Sequence, residues 1–155
     1  MSKRLIQLGV LGTMLAAGGI VLAQESEFQA KIQEDLDGYK AQIVSNCGTT
    51  DKLQIRWEGK LGSNPREGEK PEYNSVSTLC TSALDAMSST CQGNGVVKKA
   101  FSAVNKITCN RGKGTISYSL KGSSLTFSVD GSFTKNNAAG QESDLVEKMK
   151  KDLDK

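Results

Sequence analysis

The chain has 155 residues, with 20 basic and 17 acidic side chains, a formal net charge of +3 and no histidine. Without histidine, neither Ser-His nor Cys-His nucleophilic pairs can form, and zinc sites with histidine ligands are excluded. Aromatic residues make up only 5% of the chain, which disfavours a sugar cleft lined by aromatic rings.

The first 23 residues have the layout of a secretory signal peptide. Lys3 and Arg4 form a positive start, an apolar run covers residues 5–22, and cleavage is predicted after Ala23. An uncleaved anchor is the weaker alternative, because the run is at the short limit for a bilayer span. Cleavage would remove two basic residues and no acidic one. The mature domain, residues 24–155, would be almost neutral, so charge gives no argument for nucleic-acid binding.

In chain order, apolar spacing first predicts a helix over residues 26–45. Residues 53–57 alternate strictly between apolar and polar side chains, which predicts a strand with one buried face. Residues 62–74 hold both prolines and several charges. They predict a long exposed loop and make Tyr73 a candidate binding residue.

The second half predicts two further helices and then strands. The helices cover residues 74–90 and, more briefly, 97–104. Ile107 and Cys109 share one strand face, and two more strands are predicted at residues 115–120 and 125–130. A last helix begins near residue 141. The expected fold is an α+β domain, in which helices cover one face of an antiparallel sheet of about four strands.

Four cysteines in an exported chain predict two disulfides. Cys80 and Cys91 are eleven residues apart on one predicted helix, about 16 Å along its axis. A disulfide needs Cα atoms within about 7 Å, so this pair is disfavoured. Cys80 lies on the inner stripe of its helix and Cys109 on the inner face of its strand. This favours Cys80–Cys109 with Cys47–Cys91, and Cys47–Cys80 with Cys91–Cys109 remains the alternative.

The stretch CNRGKGTISYSL, residues 109–120, suggests a phosphate or RNA site at first sight. The RNP1 pattern needs aromatic residues where this chain has Lys113 and Thr115, and those residues would stack on bases. A P-loop needs Gly-Lys-Ser/Thr leading into a helix, whereas a strand is predicted here. The stretch is therefore interpreted as a hairpin that turns at residues 111–114, and residues 121–124 (KGSS) are predicted to form a second hairpin turn.

These patterns predict a periplasmic or secreted, non-enzymatic binding or structural domain. A small secreted hydrolase or enzyme inhibitor is the alternative. No catalytic residue, metal ligand or cofactor is assigned. The expected partner is a protein or envelope component rather than nucleic acid, and the chain is expected to be a monomer with no transmembrane segment after cleavage. The candidate binding surface consists of Tyr73, Thr115, Ser117, Ser119, Thr126 and Ser128.

Overall fold

The computed structural model describes residues 16–61, 63–64, 70–71, 73–131 and 138–154. Its helices are α1 (Ala16–Asp37), α2 (Lys40–Cys47), α3 (Tyr73–Gly93), α4 (Gly95–Ser102) and α5 (Ala138–Leu153). Its strands are β1 (Gln54–Glu58), β2 (Ser63–Asn64), β3 (Lys70–Pro71), β4 (Lys106–Arg111), β5 (Ser117–Lys121) and β6 (Ser124–Val129). The mixed helix and sheet composition agrees with the sequence prediction.

The main sheet has four strands in the order β1-β4-β6-β5, and it is mostly parallel. Strand β4 runs parallel to both β1 and β6, and only β5 and β6 are antiparallel. The prediction of an antiparallel sheet is therefore wrong. The physical reason is the connection between β1 and β4, which passes through α3 and α4. A helical crossover of this kind returns the chain in its original direction and allows parallel pairing.

Residues 111–114 do not form the predicted hairpin turn, because β6 lies between β4 and β5. The second predicted turn, at residues 121–124, is confirmed, since β5 and β6 are antiparallel and are joined across Gly122 and Ser123. Burial explains which strand takes the inner place. The apolar side chains of β6 are fully buried, whereas Tyr118 and Leu120 of β5 are only half-buried, as suits a strand at the sheet edge. The fully buried apolar side chains of β6 are Leu125, Phe127 and Val129.

The first predicted helix is two helices, since the chain turns at Gly38 and Tyr39. The Tyr39 N–H donates to the Leu36 carbonyl at 3.1 Å, three residues back instead of four, and α2 begins at the next residue. The predicted stripe still faces the core on both sides of the turn. Ile32, Leu36 and Ile43 are fully buried. The other three helices were predicted at the right places, with ends that differ by up to about three residues.

Two disulfides tie the helical layer together and to the sheet. Cys47 pairs with Cys91 at a Cα separation of 5.0 Å, which joins the end of α2 to α3. Cys80 pairs with Cys109 at 6.1 Å, which joins α3 to β4. This is the pairing that the sequence favours. Two disulfides are consistent with an oxidising, extracellular location.

Within the described ranges, no helix is long and apolar enough to cross a membrane.

The outer edge of β1 is closed by a side chain of α1. Gln33 donates from Nε2 to the Ile55 carbonyl at 2.7 Å and accepts from the Trp57 N–H at 3.1 Å. Its amide thereby makes the pair of hydrogen bonds that a neighbouring strand would otherwise make. Asp37, one turn later on α1, accepts a further bond from Gln33 Nε2 at 2.8 Å. These contacts fix α1 against the sheet and protect an edge strand whose backbone groups could otherwise pair with another chain.

Candidate functional site

The outward face of the four-stranded sheet carries only polar and charged side chains, because alternation sends every apolar side chain to the helical layer. In the spatial order of the strands, β1, β4, β6 and β5, these outward residues are Gln54, Arg56, Glu58, Lys106, Thr108, Asn110, Ser124, Thr126, Ser128, Ser117, Ser119 and Lys121. We call these twelve residues the polar face. The side chains at its margins, on β1 and β5, are exposed. Those at its centre are more buried, and Thr108 is only 6% exposed.

Four of the six predicted binding residues lie on the polar face. Ser117 and Ser119 face outward from β5, opposite Ser128 and Thr126 of β6 in the strand register. Thr115 is exposed in the connection that precedes β5. The structure therefore brings four hydroxyl groups of the predicted surface together and places the fifth just beyond the strand.

Tyr73, the sixth candidate, is the first residue of α3, and its side chain lies outside the described residues. The same holds for most of the predicted loop 62–74. There the described residues comprise only the two short strands β2 and β3 and the start of α3.

A cleft of about 500 Å³ adjoins the polar face at the carboxyl ends of β1 and β4. We call it the basic cleft. Glu58 and Asn110 are register partners on these strands and belong to both the polar face and the basic cleft. The chain segments that follow the two strands complete the lining, which consists of Glu58, Gly59, Lys60, Asn110, Arg111, Gly112 and Lys113.

Two glycines let these segments approach each other and the sheet. A Cβ atom on Gly112 would lie 2.9 Å from Ser128 Cβ, which is closer than real Cβ contacts allow. Gly59 has φ +146°, a backbone conformation that residues with a side chain rarely adopt. Arg111 and Lys113 are therefore positioned by a backbone that passes directly against β6. Replacement of Gly112 by any other residue would push the wall of the basic cleft outward.

The basic cleft carries three cations, Lys60, Arg111 and Lys113. Among the described residues that line the cleft, the one carboxylate, Glu58, forms an ion pair with Lys106 Nζ at 2.9 Å. Behind the wall, Asp130 accepts a hydrogen bond from the Gly114 N–H at 2.8 Å.

Two backbone amides of the Arg-Gly-Lys-Gly segment, those of Gly112 and Gly114, are already used within the protein. The Gly112 N–H donates to the Val129 carbonyl at 2.7 Å, and the Gly114 N–H donates to Asp130. A phosphate-binding loop needs such amides turned toward its ligand. These two amides are therefore not turned toward the cleft as donors.

Sequence reasoning missed the basic cleft because it assigned residues 111–114 to a hairpin. Residues 58–60 and 110–113 meet only if β1 and β4 run parallel, with their carboxyl ends at one edge of the sheet. The usable signal was the order strand, helix, helix, strand between residues 54 and 111, which is typical of a parallel crossover.

A second cleft of about 490 Å³ lies beside α2 and mixes both charges, with Asp37, Lys40 and Asp51 in its lining. Because charges of both signs line this cleft, its electrostatics indicate no particular class of ligand. Among the described residues, no group of three or more histidine, cysteine, aspartate or glutamate side chains is placed to hold a metal ion.

An acidic pair, Asp85 of α3 and Glu142 of α5, lies in the helical layer. Tyr39 donates to Asp85 at 3.2 Å. Partial burial raises the pKa of Glu142 above its ordinary value, and the charge of Asp85 raises it further. A hydrolase with two carboxylates would need such a pair to face a substrate. Neither residue lines the basic cleft or the cleft beside α2.

Glu142→Gln is expected to stabilise the protein at neutral pH. Since the pKa of Glu142 is raised on folding, its contribution to stability is fully present below the unfolded pKa and is lost as pH rises through the folded pKa. The neutral glutamine side chain does not ionise, so the variant keeps this stability at pH 7. The expected increase in the free energy of unfolding is less than about 1 kcal/mol at this half-exposed site. Thermal unfolding at pH 7 and pH 4 measures it, and the gain should shrink toward pH 4.

Asp144→Asn on the exposed side of α5 is the matched control, and it should change the unfolding temperature little at either pH. A destabilising effect of Glu142→Gln at pH 7, or a gain of the same size at both pH values, would contradict the explanation by burial and by the charge of Asp85.

Comparisons of this chain with protein-family models, with curated proteins and with solved structures give no match.

Proposed function

We propose that this chain is an exported, non-enzymatic binding domain that acts as a monomer and uses the polar face to hold its partner. The observation that carries the proposal is the division of the sheet into two unlike faces. One face packs its apolar side chains on the helices and is charged only at Arg111, at the end of β4, whereas the other holds twelve polar residues. Export is inferred from the signal-peptide pattern of residues 1–23, and the two disulfides support an oxidising location.

The polar face is held on a rigid support. Behind it lies a continuous apolar core, and the Cys80–Cys109 disulfide fixes β4 to α3. The hydroxyl and amide groups at its centre also bond to each other, since Ser128 Oγ donates to Asn110 Oδ1 at 2.8 Å. A preorganised surface of this kind loses little conformational entropy on binding. Its groups suit a hydrogen-bonding partner, such as a polar envelope component or a protein surface.

A steric block of the polar face tests the proposal. Ser117→Tyr with Ser119→Tyr adds two neutral, bulky side chains that are well tolerated in strands. The immobilised wild-type protein is expected to retain an envelope component from periplasmic extract, and the double variant to retain at most about a tenth of it. Such a loss corresponds to about 1.4 kcal/mol of binding free energy.

Ser45→Tyr is the matched control, because Ser45 is exposed on α2 in the helical layer. It should retain the component as the wild type does. If the wild type retains nothing, or if the polar-face variant and the Ser45 variant retain equal amounts, the polar face is not the binding surface.

A further inference from the structure

We propose that the outer edge of β5 binds an extended peptide segment of the partner, which adds to the sheet as an antiparallel strand. The inference rests on the proposed function, because Ser117, Ser119 and Lys121 of β5 belong to the polar face. It names the partner as a protein with an accessible extended segment, and it continues the binding surface from the face of the sheet to its edge.

The backbone groups of β5 point alternately toward β6 and away from the sheet. The Gly112 N–H, which follows β4, donates to the Val129 carbonyl, so the odd-numbered residues of β6 turn their backbone groups toward β4. The even-numbered residues of β6 turn toward β5, where their register partners are the odd-numbered residues of β5. Tyr118 and Leu120 therefore present their N–H and carbonyl groups to the outside.

Side chains of the protein close the neighbouring places on the sheet edges. The Ile116 N–H, two residues before Tyr118, donates to Gln141 Oε1 of α5 at 2.8 Å. At the opposite edge, Gln33 bonds to the backbone of β1 in the same manner. Within the described ranges, the sheet order ends at β5, and the outward backbone groups of Tyr118 and Leu120 have no such closure.

The free edge is held in an extended conformation before any partner arrives. All of β5 is paired with β6. On the other side, Tyr118 Oη donates to Asp152 of α5 at 3.2 Å, and Lys148 Nζ lies 5.8 Å from the centre of the Tyr118 ring. Strand addition to this edge therefore orders only the incoming segment, which reduces the entropic cost of binding.

The chemistry of the edge matches a peptide backbone, which presents donors and acceptors at the same spacing as β5 does. Strand addition uses this match for affinity and the alternate side chains for specificity. We expect the antiparallel direction, because antiparallel pairing is the more stable per residue.

The side chains on the two sides of the edge specify the sequence of the segment. Tyr118 and Leu120 lie half-buried on the helical side, so apolar residues are expected opposite them. Ser117 and Ser119 are exposed on the polar face and favour hydroxyl residues, and the exposed Lys121 favours an acidic residue. Starting opposite Lys121, the matching segment is acidic, apolar, hydroxyl, apolar and hydroxyl.

The test is an NMR titration of the ¹⁵N-labelled protein, with both disulfides intact, against the capped peptide acetyl-Asp-Val-Thr-Val-Thr-amide. Saturable shifts are expected at residues 117–121, with a dissociation constant on the order of 1 mM. The amides of Tyr118 and Leu120 should move downfield, because each gains an acceptor. The amide of Ile116 should move little, since it is already bonded to Gln141.

N-methylated peptides distinguish strand addition from loose adsorption. In the antiparallel register both valine amides face β5, so N-methylation of both valines should weaken binding at least about tenfold. The amide of the central threonine faces away, and its N-methylation should change affinity less than about twofold. The opposite order of the two methylated peptides, or equal binding of both, would overturn the proposed pairing.

Leu120→Pro tests the same geometry from the side of the protein. Proline removes the outward N–H and is tolerated in an edge strand where the N–H faces solvent. Leu120→Ala loses the same side chain but keeps the N–H, and the proline variant should bind the peptide at least about fivefold more weakly than the alanine variant. Equal affinities, or a lack of saturable shifts in the wild type, would overturn the inference. If the proline variant does not fold, the methylated peptides still decide with the wild-type protein.

Retention of the envelope component separates this inference from the proposed function. If the serine-to-tyrosine variant loses the component but Leu120→Pro retains as much as Leu120→Ala, the polar face binds without strand addition and the inference is wrong. If the peptide binds at β5 but the wild type retains no component, the proposed use of the polar face fails and the strand-addition site stands alone. A wild-type dimer in sedimentation that the peptide does not dissociate, together with a monomeric Leu120→Pro variant, would identify a second copy as the occupant and overturn the inference.

Discussion

Simultaneous replacement of Cys80 and Cys109 by alanine is expected to lower the free energy of unfolding by about 4 kcal/mol. This disulfide closes a loop with a sequence separation of 29 and ties α3 to β4, a central strand of the sheet. Both cysteines are fully buried, so their removal also leaves unfilled space in the core. Since small domains are stable by roughly 5–15 kcal/mol, the variant should stay folded only marginally.

Urea unfolding followed by the fluorescence of Trp57, the single tryptophan, measures this loss. The Cys47→Ala with Cys91→Ala variant is the comparison, because its loop separation of 44 gives nearly the same loss in the chain-entropy model. A larger decrease in the free energy of unfolding for the Cys80 and Cys109 variant would show that a disulfide between helix and sheet stabilises the fold more than one between two helices. A loss below about 1 kcal/mol would show that the disulfide constrains the unfolded chain very little.

Phe127→Ala is expected to cost about 3–5 kcal/mol of stability. Phe127 is fully buried in β6, and its register neighbours are Cys109 and Tyr118. Truncation to alanine leaves a cavity at the contact between sheet and helices that such a covalently fixed core cannot close easily. Phe127→Leu keeps much of the volume and should cost less than the alanine variant.

Ser128→Ala is the control for Phe127→Ala, since the next residue along β6 faces the opposite side. It removes one hydrogen bond to Asn110 and should cost about 1 kcal/mol or less. Chemical denaturation of the three variants gives the comparison. Equal losses for Phe127→Ala and Ser128→Ala would mean that the two faces of the sheet do not differ as described.

The sequence predicted which side chains face the core better than it predicted which strands are neighbours. Period-two alternation placed Ile107, Cys109 and Phe127 on one face, and the same logic favoured the observed disulfides. Alternation is unchanged when a strand reverses direction or exchanges its neighbour, so it carries no information on order. The insertion of β6 between β4 and β5 depends on how much apolar surface each strand buries, which is a property of the assembled core.

The candidate site likewise contains one part that alternation within a segment predicts and one part that depends on strand order. The hydroxyl row of Ser117, Ser119, Thr126 and Ser128 follows from alternation within two adjacent segments, and it was predicted. The basic cleft joins residues 58–60 to residues 110–113, which are far apart in the chain, and only the strand register brings them together. Short motifs within residues 109–120 suggest a phosphate-binding loop, but the structure uses the backbone amides of Gly112 and Gly114 internally.

The amide of Gln33 has a consequence for self-association. A sheet with two open edges can add copies at both ends and grow into a fibre. Here the middle of β1 is already occupied by an amide of the same chain, so strand addition is left to the β5 side. Two copies that met through β5 would each present a blocked β1 outward, and growth would end at the pair. One glutamine side chain thus withdraws the middle of β1 from strand addition by a second copy.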